Sequence, residues 1–151
     1  MHPIHVRQAV YADLDELSAL LDAHRVAQGQ ASDVPAARAF LHDRFNHGES
    51  VVFIAHRDTT AVGFAQLYPS FSSTALSRVF VLNDLFVDAE GRRQGVASML
   101  LAAAEQYAWS FGAVRVSLNV ARDNLAGQAL YSARGWQQDQ QFHAFHRLAP
   151  P

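Results

Sequence analysis

The sequence contains no cysteine and no lysine. Without cysteine there is no disulfide, no thiolate metal ligand and no covalent acyl-cysteine intermediate. Without lysine there is no Schiff-base amine and no lysine of a nucleotide P-loop. All twelve basic residues are arginine, and fourteen acidic residues leave a formal net charge of −2. That balance gives no basic excess for a duplex, so nucleic acid is not an expected partner. No apolar run approaches the ~18 residues of a membrane span. The opening stretch, Met1 to Arg7, lacks the apolar segment of a secretory leader, so the expectation is a cytoplasmic protein with no membrane partner.

What is present is a core. Half of the 151 residues are hydrophobic, and that length suits one domain spanning 1–151. Residues 3–10 read as a strand marked by Ile4 and Val6. Asp13 and Glu16 form a capping-box pattern for a helix carrying Leu14, Leu17, Leu20 and Leu21, stopped near Gly29. A second helix starts near Asp33 and Pro35, turns Phe40, Leu41 and Phe45 inward, and ends at Gly48. Val51–Ala55 and Ala61–Tyr68 form a hairpin, followed after Pro69 by a polar loop, 70–74. Val79–Val87, apolar on both parities, reads as a strand buried on both faces and central in its sheet. A helix from about Val96 to Phe111, a strand at Val114–Val120 and a short helix from Asn124 to Arg134 follow. The tail, Trp136–Leu148, reads as one or two closing strands. The order β-α-α-β-β-β-α-β-α-β(-β) is that of a mixed α/β (α+β) domain, a central mixed sheet flanked by helices.

One segment carries chemistry. A buried strand runs into the turn Arg92-Arg93-Gln94-Gly95-Val96-Ala97, which opens a long helix. The first turn of a helix presents unpaired N–H groups and the positive end of the macrodipole. Gly95 and Ala97 leave the main chain accessible, and two arginines add charge, which together suit a pyrophosphate. An ordinary helix start is the competing reading. The segment is no P-loop, because Gly-Lys-Ser/Thr is missing, and no dinucleotide motif, because one glycine of Gly-x-Gly-x-x-Gly is present.

Arg92-x-x-Gly95-x-Ala97 resembles the Arg/Gln-x-x-Gly-x-Gly/Ala signature of the GNAT superfamily, the GCN5-related N-acetyltransferases. Leu82–Val87 upstream is similar to that family's fourth strand, and Ser98-Met99-Leu100-Leu101 to the start of its third helix. Asn119–Asn124 and Ala129–Trp136 resemble its closing motifs, in order and at the expected spacing. Within the superfamily, Asn83–Val87 and the Tyr131 region look nearest to diamine and polyamine acetyltransferases and small bacterial relatives.

The resemblance implies the GNAT fold and acetyl-CoA as cosubstrate. Main-chain groups of Leu85, Phe86 and Val87 would pair with the pantetheine, and an N–H near Leu85 or Phe86 would polarise the thioester carbonyl. The turn Arg92, Arg93, Gln94, Gly95, Val96 and Ala97, with the Ser98 hydroxyl, would take the pyrophosphate, and Asn124 would contact the pantetheine arm. Tyr131 matches the tyrosine that protonates the departing thiolate; a core aromatic is the alternative. Related enzymes often carry Glu-Asp where this chain has Asn83-Asp84. Asparagine cannot accept a proton, which leaves Asp84 as candidate base, directly or through water, or as a buried structural carboxylate.

The implied activity is acetyl transfer to a primary amine of a small molecule, by direct attack in a ternary complex. A non-catalytic CoA-binding module, which Asn83 favours, and transfer to a protein amine are the alternatives. The eight histidines do not pair at ligand spacing: His2 and His5, like His143 and His146, would face opposite sides of a strand, and His42 and His47 share a helix face poorly. No metal is expected. His24 is placed on the solvent face of the first helix, with a cleft-lining position as the alternative. Asp22, Asp33, Asp84 and Asp139 could attract a polycation. Family precedent and the apolar tail suggest a homodimer.

Overall fold

Two β-hairpins and a crossover helix build the sheet. The computed structural model describes residues 3–151, in two compact units that meet in sequence at Asn119 and Val120. In the first unit, β1 (Ile4–Gln8), β2 (Val51–Arg57), β3 (Thr60–Ser72) and β4 (Ser77–Val87) are successive antiparallel neighbours. The two-residue β5 (Val116–Ser117) lies parallel to β4, as the intervening helix α3 (Val96–Ser110) requires.

Helix α1 (Leu14–Ala27) and helix α2 (Val34–His47) cover one face. Leu14, Leu17, Leu20, Leu21, Ala37 and Leu41 pack there with Val52, Ile54 and Phe64. Burying each large side chain contributes about 1.5–3 kcal/mol. On α3, Leu100, Leu101, Ala104 and Ala108 are buried, and the Tyr107 ring meets Phe53 and Phe80 at 5.8 Å each. Asp33 caps α2 by accepting from Ala36 N–H, and Gly48 ends it at φ +61°, a conformation suited to glycine.

Several expectations change. Asp13 precedes α1 but does not cap it. Its carboxylate binds the Arg7 guanidinium at 2.6 and 2.7 Å and the Val10 N–H at 2.7 Å, so the capping box with Glu16 does not form. Phe40 is exposed rather than inward, and the Arg44 guanidinium lies over its ring at 4.5 Å. Residues 70–72 belong to β3, and Pro69 pairs with Phe80. Past Leu67, β2 has ended, so the missing proline N–H can face an open edge. The central strand is β3, not β4, and β4 exposes Val81 and Asn83.

The second unit holds α4 (Leu125–Ala133). Asn124 caps it by accepting from Gly127 N–H at 2.9 Å. A Cβ at position 127 would stand 2.7 Å from the Asn124 side-chain nitrogen, so a larger residue there would shift the capping side chain. The strands expected in the tail are absent: 136–148 has no strand pairing. Phe142, Phe145 and Leu148 are 76%, 92% and 89% exposed. Apolar residues make a strand only where a neighbour takes their main-chain bonds.

Candidate active site

A loop anchored at one end and open at the other joins β4 to α3. Asp88 accepts from the N–H groups of Glu90 and Gly91 at 3.0 and 3.1 Å. Arg57 donates to the Glu90 carbonyl at 2.7 Å, and the Gln94 side chain donates to the same oxygen at 2.9 Å. A Cβ at Gly91 would sit 2.9 Å from both Val62 and Val87, so the loop's first half is pressed onto the sheet. Arg92, Arg93, Gln94 and Gly95 are exposed. Arg93 (φ +64°) and Gly95 (φ +75°) are both left-handed, which costs the arginine about 1–2 kcal/mol.

The start of α3 is bare. Gly95 is its N-cap and offers no capping side chain, and no acid stands in the first turn. The first helical bond runs from Met99 N–H to the Gly95 carbonyl, which leaves the N–H groups of Val96, Ala97 and Ser98 at the positive end of the dipole. A Cβ at Gly95 would meet no atom within 4 Å. The glycine therefore serves the turn's φ and an approach from outside, not internal packing. Bare N–H donors at a helix start are of the kind that can accept an anion.

Strand β4 leads to that site with an open edge. Its ladder to β5 consists of Phe80 and Val81. From Leu82 to Val87 no strand pairs with it on that side among the described residues. Between the Gln66↔Asp84 and Leu67↔Leu82 pairs the β3–β4 register slips, leaving Asn83 as the extra residue of a bulge. A bulge bends its strand and re-aims side chains. Leu85, Phe86 and Val87, all half-buried, lie on this free edge, where an extended chain bearing amides could pair with them.

On the face covered by α1, the pairs Phe64↔Phe86 and Gln66↔Asp84 lie side by side. Asp84 is 8% exposed and Gln66 is fully buried. The Asp84 Oδ2 atom accepts from Gln66 at 2.8 Å and from Asn83 at 3.2 Å. Its Oδ1 atom lies 3.4 Å from His24 Nε2. Burial works to raise the Asp84 pKa, but the polar interactions with His24, Gln66 and Asn83 outweigh it and hold the group below the ordinary carboxylate value. The His24 ring is wedged against Phe64 and Phe86, with centroids at 5.9 and 5.3 Å.

His24 is thus not on a solvent face: its side chain is 13% exposed. The signal was in the sequence, since position 24 continues the inward phase of Leu17, Leu20 and Leu21. Gln66 was missed as well, although a polar residue inside the run 61–67 is its own signal. Its Oε1 atom is buried without a hydrogen-bond partner.

In the second unit, Asn124 has committed its side-chain oxygen to the α4 cap. Tyr131 lies on α4, half-buried, its ring 5.8 Å from that of Trp136, and burial raises its phenol pKa above the ordinary value. Among the described residues no group of three or more His, Asp or Glu side chains is arranged to hold a metal ion; His2 lies outside them. No described helix is long and apolar enough to cross a membrane.

Known proteins are similar to this chain in sequence and in fold. Residues 15–136 match the Acetyltransferase (GNAT) family. An uncharacterized N-acetyltransferase of Bacillus subtilis, YhfO, is 38% identical over 139 residues, covering 92% of this chain and 93% of that protein. A probable acetyltransferase of Haemophilus influenzae is 33% identical over 96 residues, covering 63% and 66%. A crystal structure of a probable acetyltransferase superposes with a TM-score of 0.92 at 38% identity, covering 97% and 99%. An aminoglycoside N-acetyltransferase solved with CoA shares the fold at 21% identity, with a TM-score of 0.81 and coverage of 99% and 97%. A family match over most of the sequence, and a relative alike from end to end, agree with the open strand edge and the bare helix start: the chain belongs to the GNAT family of acetyltransferases.

Proposed function

We propose that the chain is an acetyl-CoA-dependent N-acetyltransferase acting on a primary amine of a small molecule, by direct attack in a ternary complex. The carrying observation is the free edge of β4 leading to the uncapped start of α3. Acetyl-CoA supplies the activated thioester. Main-chain groups of Leu85, Phe86 and Val87 bind its pantetheine arm, and an N–H near Leu85 or Phe86 aims at the thioester carbonyl. The turn Arg92–Ala97 and the Ser98 hydroxyl hold the pyrophosphate. With its oxygen used in the cap, Asn124 offers its side-chain N–H₂ to the pantetheine.

Two protons must move. A primary ammonium, with a pKa of ~10.4, must lose one before it can attack, and Asp84 belongs to the group that receives it. Tyr131 supplies the other to the departing thiolate. A phenol whose pKa is raised by burial stays protonated at neutral pH, as a proton donor must. The resemblance to polyamine acetyltransferases makes di- and polyamines the first acceptors to test, followed by amino sugars. We assign the chain to the cytoplasm as a single-domain homodimer, with neither nucleic acid nor membrane as partner.

The test is acetyl-CoA-dependent thiol release across a panel of polyamines, amino sugars and amino acids, with the acetylated product identified by mass. Amine-dependent release is expected. Tight CoA binding with no turnover on any amine would leave a CoA-binding module instead.

A further inference from the structure

The group that accepts the ammonium proton follows from how the polar cluster under α1 is wired. Asp84 is poorly suited to the task itself. It is nearly buried, and its Oδ2 atom already accepts two hydrogen bonds, from Gln66 and Asn83. What remains is Oδ1, and it faces His24 Nε2 at 3.4 Å. That separation is somewhat longer than a formed hydrogen bond, as is common for catalytic pairs without substrate. An imidazole that donates Nε2–H to a fixed carboxylate carries its lone pair on Nδ1, where it can accept a proton. The Phe64 and Phe86 rings fix the imidazole plane, and Phe86 belongs to the β4 edge assigned to the thioester end of acetyl-CoA.

We propose that His24 is the proton acceptor of this acetyltransferase and that Asp84 is its positioning residue, selecting the Nε2–H tautomer. The proposal rests on the N-acetylation reading above. An N–H bond of the acceptor ammonium breaks and its proton forms a bond to His24 Nδ1, leaving the amine lone pair free for attack. Nε2–H stays directed at Asp84, whose charge offsets the imidazolium, and the proton then passes to water. Among the described residues, Tyr68 on β3 is a further ionisable group coupled to this cluster, and it feels both Asp84 and Arg44 of α2. The α1 neighbours Asp22 and Arg25 are committed elsewhere, to Ser32 and Asp33 and to the Ala31 carbonyl.

This wiring makes Asp84→Asn informative. The donors Gln66 and Asn83 would select the amide oxygen for the Oδ2 position, so the new N–H₂ would face His24. It would donate to Nε2 and force the Nδ1–H tautomer, leaving no lone pair for the ammonium. The experiment combines nitrogen NMR of the labelled imidazoles with turnover on an accepted amine from pH 6.5 to 9.5. The wild-type chain is compared with His24→Gln, Asp84→Asn and the double variant, and the CoA-induced rise in Tm monitors folding and binding. Expected are an Nε2–H tautomer in the wild type and Nδ1–H in Asp84→Asn. Each single variant should lose roughly 10²-fold in turnover at pH 7, narrowing as the pH rises toward the amine's own ~10.4. The double variant should lose no more than either single, because the pair acts as one unit. An Nδ1–H tautomer in the wild type, or His24→Gln turnover within a fewfold of wild type at every pH, overturns the proposal. If His24→Gln does not fold, His24→Asn takes its place, and the wild-type tautomer is decisive without any variant. Wild-type protein that binds CoA but acetylates no amine overturns the underlying N-acetylation reading, a result distinct from an active enzyme indifferent to His24.

Discussion

Gly95 and Gly112 bracket the same helix with nearly the same backbone. Their φ values are +75° and +74°, and a Cβ at either meets no atom within 4 Å. Alanine at each position therefore carries the same left-handed penalty, about 1–2 kcal/mol, with no packing term. For a chain of this size that lowers Tm by about 2–8 °C. The functional consequence should differ completely, because only position 95 starts the helix proposed to receive the pyrophosphate. CoA at 100 times its Kd stabilises the parent by about 2.7 kcal/mol, a rise of about 5–11 °C. Gly112→Ala should keep that rise in full. Gly95→Glu adds an anion beside the phosphates, and a 100-fold weaker Kd would cut the stabilisation to about 0.4 kcal/mol. Thermal melts of parent, Gly112→Ala, Gly95→Ala and Gly95→Glu, with and without CoA, measure both effects together. If Gly95→Glu folds and gains as much from CoA as the parent does, the pyrophosphate does not sit on this turn.

Tyr131→Phe removes only the hydroxyl, so turnover should fall roughly 10²-fold while CoA affinity, read by titration calorimetry, stays within a fewfold; unchanged turnover would make Tyr131 a packing residue. Asp13→Asn, which breaks the paired bonds to Arg7, should lower stability by about 1–3 kcal/mol in denaturant melts. The Arg7 bonds outweigh burial and hold Asp13 below its ordinary pKa. Its contribution is therefore complete above the unfolded value of ~3.9 and is lost as the pH falls through the folded one, so the variant's stability should fall less steeply there; an equally steep fall in both would remove Asp13 from the account. For the proposed dimer, Phe142→Ser with Phe145→Ser should convert the species seen by light scattering from dimer to monomer, and a parent chain that is already monomeric would refute that assembly.

Much of this protein was legible in local signals. The turn Arg92–Ala97, the glycines at 48 and 95 and the helix start at Asn124 were readable because φ sterics and helix-end donors act within a few residues. Where a residue's partner is distant, the same reasoning failed. Asp13 satisfies a capping pattern, yet Arg7, delivered by β1, takes its carboxylate. The tail, with its apolar Phe142, Phe145 and Leu148, was read as closing strands, yet strand formation needs a neighbour that no local pattern supplies. Asp84 could be singled out from sequence, but its chemistry depends on what stands beside it. Local signals thus determined the helices, the hairpins and the exposed turn at the start of α3. The tertiary structure alone decided the polar cluster under α1, because residues 24, 66 and 84 meet only through the packing of α1 on the sheet and the one-residue slip at Asn83. Register and bulges are set by long-range pairing, and a slip of one residue reverses the face on which a side chain stands.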